Sequence, residues 1–445
     1  MMTTSQKCCY FGSDMTQDLS KTDEIQPGQR LGSIIRASAG NMVECFDWFS
    51  YAAFALYFAK VFFPAGDQTA QLLSSAAVYA VGFFFRPLGA WLMGLYGDRV
   101  GRRGALIASV WLMCIGSMAI ALCPGYATIG IAAPIILVLA RILQGISMGG
   151  EYGTSATYMS EMAGRRDRGF WSGVFYATLM SGQLLSLALF LVLGHLMPPE
   201  AMQAWGWRIP FFLGGALALG VFWLRQDMKE TPSFMARNRV RVTTWDLVRS
   251  HPRQSLLVMG LTAGGTLGYY TFGTYIQKFL ANTSGFSKDQ ASLITAGAMF
   301  IFMLAQPLVG GLSDRVGRRP LLITFGVMGA AMTWPVLYAL SYTKDVATAL
   351  ILVTFALLVV SLYSAVNAIV KAELFPTEVR ALGVSLPYSL ANAIFGGTAE
   401  FVALAFKQAG HETWFFTYVT VVILGSLLVY LGLPDTRANS QILED

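Results

Sequence analysis

The sequence predicts an all-α membrane protein: twelve transmembrane helices in two pseudo-symmetric six-helix bundles. Three observations predict it. The chain is 55% hydrophobic and only 13% charged, against roughly 25% charged in soluble domains. Apolar runs of roughly 20 residues, enough to cross a hydrocarbon core of ~30 Å, recur along its whole length. The hexapeptide Asp-Arg-Val-Gly-Arg-Arg occurs twice, at Asp98 to Arg103 and at Asp314 to Arg319, about half the chain apart. A parallel repeat of this kind marks two halves related by an axis along the membrane normal.

The spans follow in order. Residues 1–33 form a polar tail without the apolar core of a cleaved signal peptide, and Met15 is a second candidate start. Span 1 (34–62) is apolar but carries Glu44 and Asp47; span 2 (70–96) carries Arg86 and Pro87 and runs into the first hexapeptide. Span 3 (104–123) is short and apolar. Span 4 (131–161) holds Arg141, Gln144 and Glu151, with Gly145 and Gly149 as a small-xxx-small pair that permits tight packing. Span 5 (168–197) contains Gln183, and span 6 (207–226) starts within Trp205-Gly-Trp-Arg-Ile-Pro, where Arg208 is read as an outer anchor. The polar stretch 227–253 is the linker between bundles 34–226 and 254–433.

Span 7 (254–282) is rich in tyrosine, and span 8 (289–313), with Pro307, runs into the second hexapeptide. Span 9 (319–341) contains Pro335, span 10 (346–374) ends near Lys371 and Glu373, and span 11 (381–408) holds Pro387 and Glu400. Span 12 (412–433) precedes a short polar tail, 434–445. The prolines bend spans where neighbours re-satisfy the backbone. A second repeat supports the first: Glu161 precedes Arg168 as Glu373 precedes Arg380.

Lysine and arginine fix the expected orientation. About 23 of the 31 cations fall at the N-terminus and in the loops after the even-numbered spans, which places both termini and the linker in the cytoplasm. Trp205, Trp207 and Trp414 are then expected at the outer interface. Because the cations sit in short loops, the net charge of +6 does not point to nucleic acid. The five cysteines show no framework spacing, so neither a disulfide nor a metal site is expected, and nothing calls for a cofactor.

In the repeated turn, the glycine lets the next helix approach. The aspartate is suited to cap a helix start and to pair with arginines, and the arginines hold the loop at headgroup level. The candidate gating residues are therefore Gly94, Asp98, Arg99, Gly101 and Arg102 in one copy, and Asp314, Arg315, Gly317 and Arg318 in the other. Plain topology, basic residues in inner loops, is the blander reading of any single arginine.

The stretch from Gly94 through Arg103 resembles the loop 2–3 signature of the major facilitator superfamily. Gly40-Asn-Met-Val-Glu-Cys-Phe-Asp-Trp and Arg141-Ile-Leu-Gln-Gly-Ile-Ser-Met-Gly-Gly-Glu-Tyr-Gly resemble its metabolite:proton symporter family. Three further stretches, Gly149 to Glu161, Tyr270 to Lys278 and Lys371 to Glu400, resemble the members of that family that import 2-oxoglutarate with protons. The resemblance implies a multi-pass protein of the bacterial inner membrane whose partners are a small dicarboxylate and protons, acting as a monomer. Cys45 departs from the tryptophan usual there.

Ionisable residues at a helix centre cost about 2.5–3.5 kcal/mol on insertion scales, so each invites a functional account. Glu44 and Asp47 lie three apart on one helix face. Arg86 and Arg141 are the candidate partners of a dianion, because a guanidinium takes a carboxylate bidentately. Glu44, Asp47, Glu151 and Glu400 are the candidate proton carriers. Gln183, Tyr270, Tyr275 and Lys278 are further candidates for the substrate. Helix–helix glue for Gln183, snorkelling for Lys278 and an interfacial belt for the tyrosines are equally open readings. Mutual pairing that merely locks span 1 to spans 2 and 4 stays open for each charge. Lys371 is read as snorkelling to the inner face, and the chemistry is expected to concentrate in the N-terminal half.

Three function classes come into question for such a chain. A sensor would carry a long cytoplasmic extension, and an ATP-driven pump would need a GxxxxGK[ST] loop, which the chain lacks. A secondary transporter that is not an enzyme, a dicarboxylate:proton symporter working by alternating access, fits best. Another substrate of the same family (citrate, shikimate or an osmolyte) is the alternative.

Overall fold

The computed structural model describes residues 27–64, 67–100, 102–162, 166–226, 249–376, 379–437 and 440. Met1–Ala37 separates as one unit and Ser38–Asp445 as another. The described part of the first is the opening of helix Pro27–Phe62, which begins earlier than predicted, on a proline whose missing N–H costs nothing at a helix start.

Among the described residues, twelve helical rods correspond to the twelve expected spans. Nine helices among the described residues are long and apolar enough to cross a membrane: those of spans 2, 4, 5, 6 and 8 to 12. Of the other three, span 1 carries Glu44, Asp47 and Lys60; span 3 is the helix Arg102–Leu122, apolar over Ile107–Leu122; and span 7 is laden with glycine, threonine and tyrosine. Two short helices, Tyr126–Ile129 and Pro199–Ala204, were not expected.

The helix neighbours repeat between the halves. Span 3 packs on spans 4 and 6 as span 9 packs on spans 10 and 12, and span 2 packs on span 4 as span 8 packs on span 10. The contacts between halves obey the same exchange: span 5 lies along span 8, and span 2 along span 11. Close backbone approach makes these contacts possible. A Cβ on Gly149 would lie 1.9 Å from the Arg86 carbonyl oxygen, and one on Gly310 would lie 2.2 Å from that of Gly169.

Polarity is inverted relative to a soluble protein. Leu308, Leu428 and Tyr342 are exposed, whereas Glu44, Asp47, Arg86, Arg141, Glu151, Lys278, Lys371 and Glu400 are buried. Trp205 and Trp414 are exposed, as expected of an interfacial belt, but Trp207 is not. It is fully buried against Phe58, Phe62 and Phe211, because the connection before span 6 turns inward. Arg208 covers that ring at 4.1 Å and donates to the carbonyls of Ala204 and Cys123, at 2.9 and 3.0 Å.

Spans 7 and 11 leave regular α-geometry. Span 7 continues from Pro252–Tyr269 into a π-helical segment, Tyr270–Tyr275, and a second, Leu280–Ser284. Span 11 changes to π-geometry at Asn392–Gly396. Wide turns of this kind concentrate at functional sites, since they aim side chains where an α-helix does not.

Candidate functional site

The first polar cluster joins spans 1, 3 and 4. Ser117 Oγ donates to Asp47 Oδ1 at 2.5 Å, and Gln144 Nε2 donates to Asp47 Oδ2 at 2.6 Å. Arg141 Nη1 donates to Gln144 Oε1 at 2.7 Å, so Gln144 links the Asp47 carboxylate to the guanidinium. Gly214 of span 6 closes the far side of Asp47: a Cβ there would sit 2.6 Å from Oδ1. Glu44 accepts from Ser147 Oγ at 3.0 Å one turn away, and Glu151 is buried further along span 4. The two acids of span 1 thus both face spans 3 and 4, each with its own hydroxyl.

Arg141 lies within an aromatic box, 3.9 Å from the Trp48 ring, 4.6 Å from Tyr51 and 5.1 Å from Tyr79. Its Nε and Nη2 have no acceptor. Arg86 also borders these rings, 5.8 Å from Trp48 and 5.3 Å from Phe83, and its Nε and Nη1 likewise lack acceptors among the described residues. Burying a cation this way is costly unless it is paired, and aromatic faces offset only part of that cost.

From the C-terminal half, Tyr270 and Tyr388 stand beside Arg86. Tyr270 also packs edge-on to Phe83 at 5.2 Å, so the π-segment of span 7 meets span 2 at this point. Tyr388 stacks on Tyr152 at 4.2 Å, joining span 11 to span 4. Tyr152 and Tyr176 share a hydrogen bond at 3.2 Å, Asn367 donates to Tyr176, and Tyr363 donates to Asn367 at 3.0 Å. Lys371 does not snorkel. It is fully buried, with Nζ 3.6 Å from the Tyr388 ring centre, because span 10 turns this face inward.

Other predicted residues have protein partners. Lys278 and Glu400 form a buried ion pair at 2.5 Å, leaving Glu400 Oε2 without a donor. Gln183 Nε2 donates to the Gly273 carbonyl at 2.7 Å, and Tyr269 donates to Gln183 Oε1, so Gln183 joins spans 5 and 7 across the halves. Tyr275 packs on Phe279 and Phe415. The cavity beside Phe49, Gln183, Gly273 and Thr274 encloses ≈ 10 Å³, room for about one water.

Both ends of the interface between halves are closed. At the basic end, Asp314 Oδ1 accepts from the Gly169 N–H at 2.8 Å and Oδ2 from the Phe170 N–H at 2.9 Å. Arg318 pairs with Asp314 at 2.9 Å and reaches Glu373 at 3.7 Å. Gly317 ends span 8 at φ 102°, where a side chain would be strained, and the Arg315 carbonyl accepts from Arg437 at 2.9 Å. At the opposite end, Lys288 Nζ donates to the Leu56 carbonyl at 2.9 Å and sits 4.2 Å from the Tyr57 ring. The side chains of the other predicted gating set, Gly94, Asp98, Arg99, Gly101 and Arg102, lie outside the described residues, as does that of Glu161.

Sequence reasoning missed Lys371, Tyr152, Tyr176, Tyr388 and Asn367. Lys371 carried a signal, a cation within an apolar span, but its place near the span's basic end favoured snorkelling. The C-terminal half contributes more to the site than expected.

These features define a membrane transporter of two related halves closed around a buried polar centre. The chain belongs to the family of sugar (and other) transporters, whose model matches residues 33–244 and 236–442. It is 48% identical to the alpha-ketoglutarate permease of Escherichia coli (strain K12), over 95% of this chain and 97% of that one. It is 33% identical to the citrate-proton symporter of Klebsiella pneumoniae, over 85% of this chain and 86% of the other. Among solved structures it superimposes on a major facilitator proton:xylose symporter with TM-score 0.73, covering 93% of this chain and 98% of that one at 19% identity. The fold is therefore that of the major facilitators, and the protein is a transporter rather than an enzyme.

Proposed function

We propose that this protein imports a dicarboxylate, 2-oxoglutarate, together with protons across the bacterial inner membrane by alternating access. The observation that carries the reading is Arg86: a buried guanidinium at the junction of the halves with two N–H-bearing nitrogens, Nε and Nη1, lacking acceptors. A carboxylate beside either of these nitrogens accepts a charge-assisted hydrogen bond, and the identity to an alpha-ketoglutarate permease points to the same substrate class. Tyr270, from the opposite half, stands beside the Arg86 guanidinium, so substrate bound there draws the halves together.

Protons enter through Asp47. As a carboxylate it accepts from Ser117 and Gln144. Protonation makes one oxygen a donor and removes the charge that Gln144 donates to, which weakens that contact and frees the Gln144 amide to rearrange, and Gln144 holds Arg141. The state of Asp47 is thereby passed to Arg141 beside the centre. Glu44, Glu151 and Glu400 remain secondary candidates. Both termini face the cytoplasm in this reading, so the Asp314 contacts form the inner gate and the Lys288 contacts the outer one. The six-helix bundles rock about the centre, and the closed structure corresponds to an occluded stage.

Uptake of labelled 2-oxoglutarate into vesicles, with and without an imposed pH gradient and with citrate and succinate as competitors, tests the proposal. Gradient-dependent uptake is expected, and Arg86→Lys is expected to raise KM about 10- to 100-fold by losing the directed guanidinium donors. No gradient-dependent uptake, or citrate preferred over 2-oxoglutarate, overturns it.

A further inference from the structure

Among the described residues, Lys371 has no partner that satisfies it. Its side chain is fully buried on span 10, and none of those residues gives Nζ a hydrogen-bond acceptor. What it meets is the face of Tyr388 at 3.6 Å and, at 5.7 Å, that of Tyr152. Aromatic faces offset only part of the cost of dehydrating an ammonium group. Arg86 makes the arrangement worse, because it is close enough for the two positive charges to repel. One cation comes from span 2 in the N-terminal half and the other from span 10 in the C-terminal half. Both are buried with unused donors, and both border Tyr388.

An anion with two negative groups removes every one of these costs at once. One carboxylate accepts from an unused Arg86 N–H, the other takes the Lys371 ammonium, and the like-charge repulsion becomes a shared attraction. A monoanion satisfies Arg86 alone and leaves Lys371 buried and bare, which penalises it. Discrimination is strong where the wrong ligand leaves a buried polar group unpaired.

We infer that Lys371 is the partner of the substrate's second carboxylate and sets the preference for dianions over monoanions, with Tyr388 and Tyr152 holding its side chain in place. The inference rests on the proposed transport of a dicarboxylate at this centre and names the residue that reads its second charge. Because Arg86 and Lys371 belong to different halves, a bound dianion also bridges them, and a monoanion does not.

The test compares the purified full-length protein with its Lys371→Met and Lys371→Arg variants. Affinities are measured for 2-oxoglutarate, for glutarate and for pentanoate, the monoanion of matched chain length, alongside the melting temperature without ligand. The wild type is expected to prefer glutarate over pentanoate. Lys371→Met is expected to lose about 10- to 100-fold of that preference, mainly through weaker glutarate binding, and Lys371→Arg to retain most of it. Ligand-free Lys371→Met is expected to melt at or above the wild-type temperature, since the lost charge had no partner. A Met variant that keeps the preference, or that fails to fold, overturns the inference, as does a wild type that binds both anions equally. If the wild type prefers dianions through Lys371 yet neither binds nor imports 2-oxoglutarate, the functional reading fails and the inference stands. If 2-oxoglutarate is imported and the Met variant discriminates unchanged, the reverse holds.

Discussion

Asp314 caps a helix that begins at Arg168 in the other half of the protein. Its two carboxylate oxygens accept the N–H groups of Gly169 and Phe170, at 2.8 and 2.9 Å. These are among the four N–H groups that a helix start leaves without intrahelical partners, and the positive end of the helix dipole favours a carboxylate there. A capping role for this aspartate is legible in the repeated hexapeptide; its partner is not, because the capped helix is distant in sequence. In the proposed reading this contact is the inner gate, and removing the cap weakens it selectively. Asp314→Ala is expected to lose about 1–2 kcal/mol of closed-state stability, a shift of roughly 5- to 30-fold toward the inward-open form. Spin labels at the basic ends of spans 5 and 8 report it as a longer distance distribution. An unchanged distribution removes Asp314 from the gate.

Asp47 tests the proton pathway. Asp47→Asn keeps the shape of the side chain but cannot be charged, so the difference between protonated and unprotonated states disappears. Uptake driven by a pH gradient is expected to fall to background, while counterflow exchange of labelled for unlabelled substrate stays within about threefold of wild type. Gradient-driven uptake at the wild-type rate rules Asp47 out as the coupling group. Gln144→Leu severs the link to Arg141 and is expected to impair coupling in the same direction, although the carboxylate itself remains.

The contact of span 4 with span 2 makes a steric prediction. A Cβ on Gly149 would approach the Arg86 carbonyl oxygen to 1.9 Å and the Ala90 nitrogen to 2.8 Å, both backbone atoms that cannot swing aside. Gly149→Ala therefore pushes the helices apart at the residue proposed to bind substrate. Overpacking of this kind costs about 1–3 kcal/mol, so a lower melting temperature and a weaker substrate affinity are expected together. A melting temperature within error of wild type contradicts the close approach.

The number of spans, the two-fold repeat and the deep charges of spans 1, 2 and 4 were legible because each has a one-dimensional signature: an apolar length, an identity at half the chain, an acid or base where hydrocarbon is expected. What the charges do was less legible. Glu44 and Asp47 share a helix face, yet Asp47 belongs to Ser117 and Gln144 and Glu44 to Ser147. Lys371 looked peripheral because depth was judged by distance from the span end, and that measure ignores which way a helix face turns. Trp207 misled for the same reason. The π-segments of spans 7 and 11 have no reliable sequence signal, since they depend on one extra residue accommodated by packing against neighbours.

Lys278 and Glu400 pose the sharpest choice between structure and transport. The pair lies at 2.5 Å with both side chains almost fully buried, joining the Ile276–Phe279 piece of span 7 to the Ala399–Gln408 helix of span 11. If it is a structural lock, each charge exists only for the other. Removing one partner then strands a buried charge, and Lys278→Met or Glu400→Gln alone is expected to cost about 3–5 kcal/mol. The double variant is expected to recover most of that loss, because replacing both charges by neutral groups of similar size is often close to neutral. Substrate affinity should follow stability, falling in the single variants and returning in the double one. A different pattern identifies Lys278 as a substrate cation: the double variant regains its melting temperature but not its affinity for 2-oxoglutarate. Melting curves and binding isotherms on the same four proteins separate the two roles, and the direct 2.5 Å contact of the pair favours the lock.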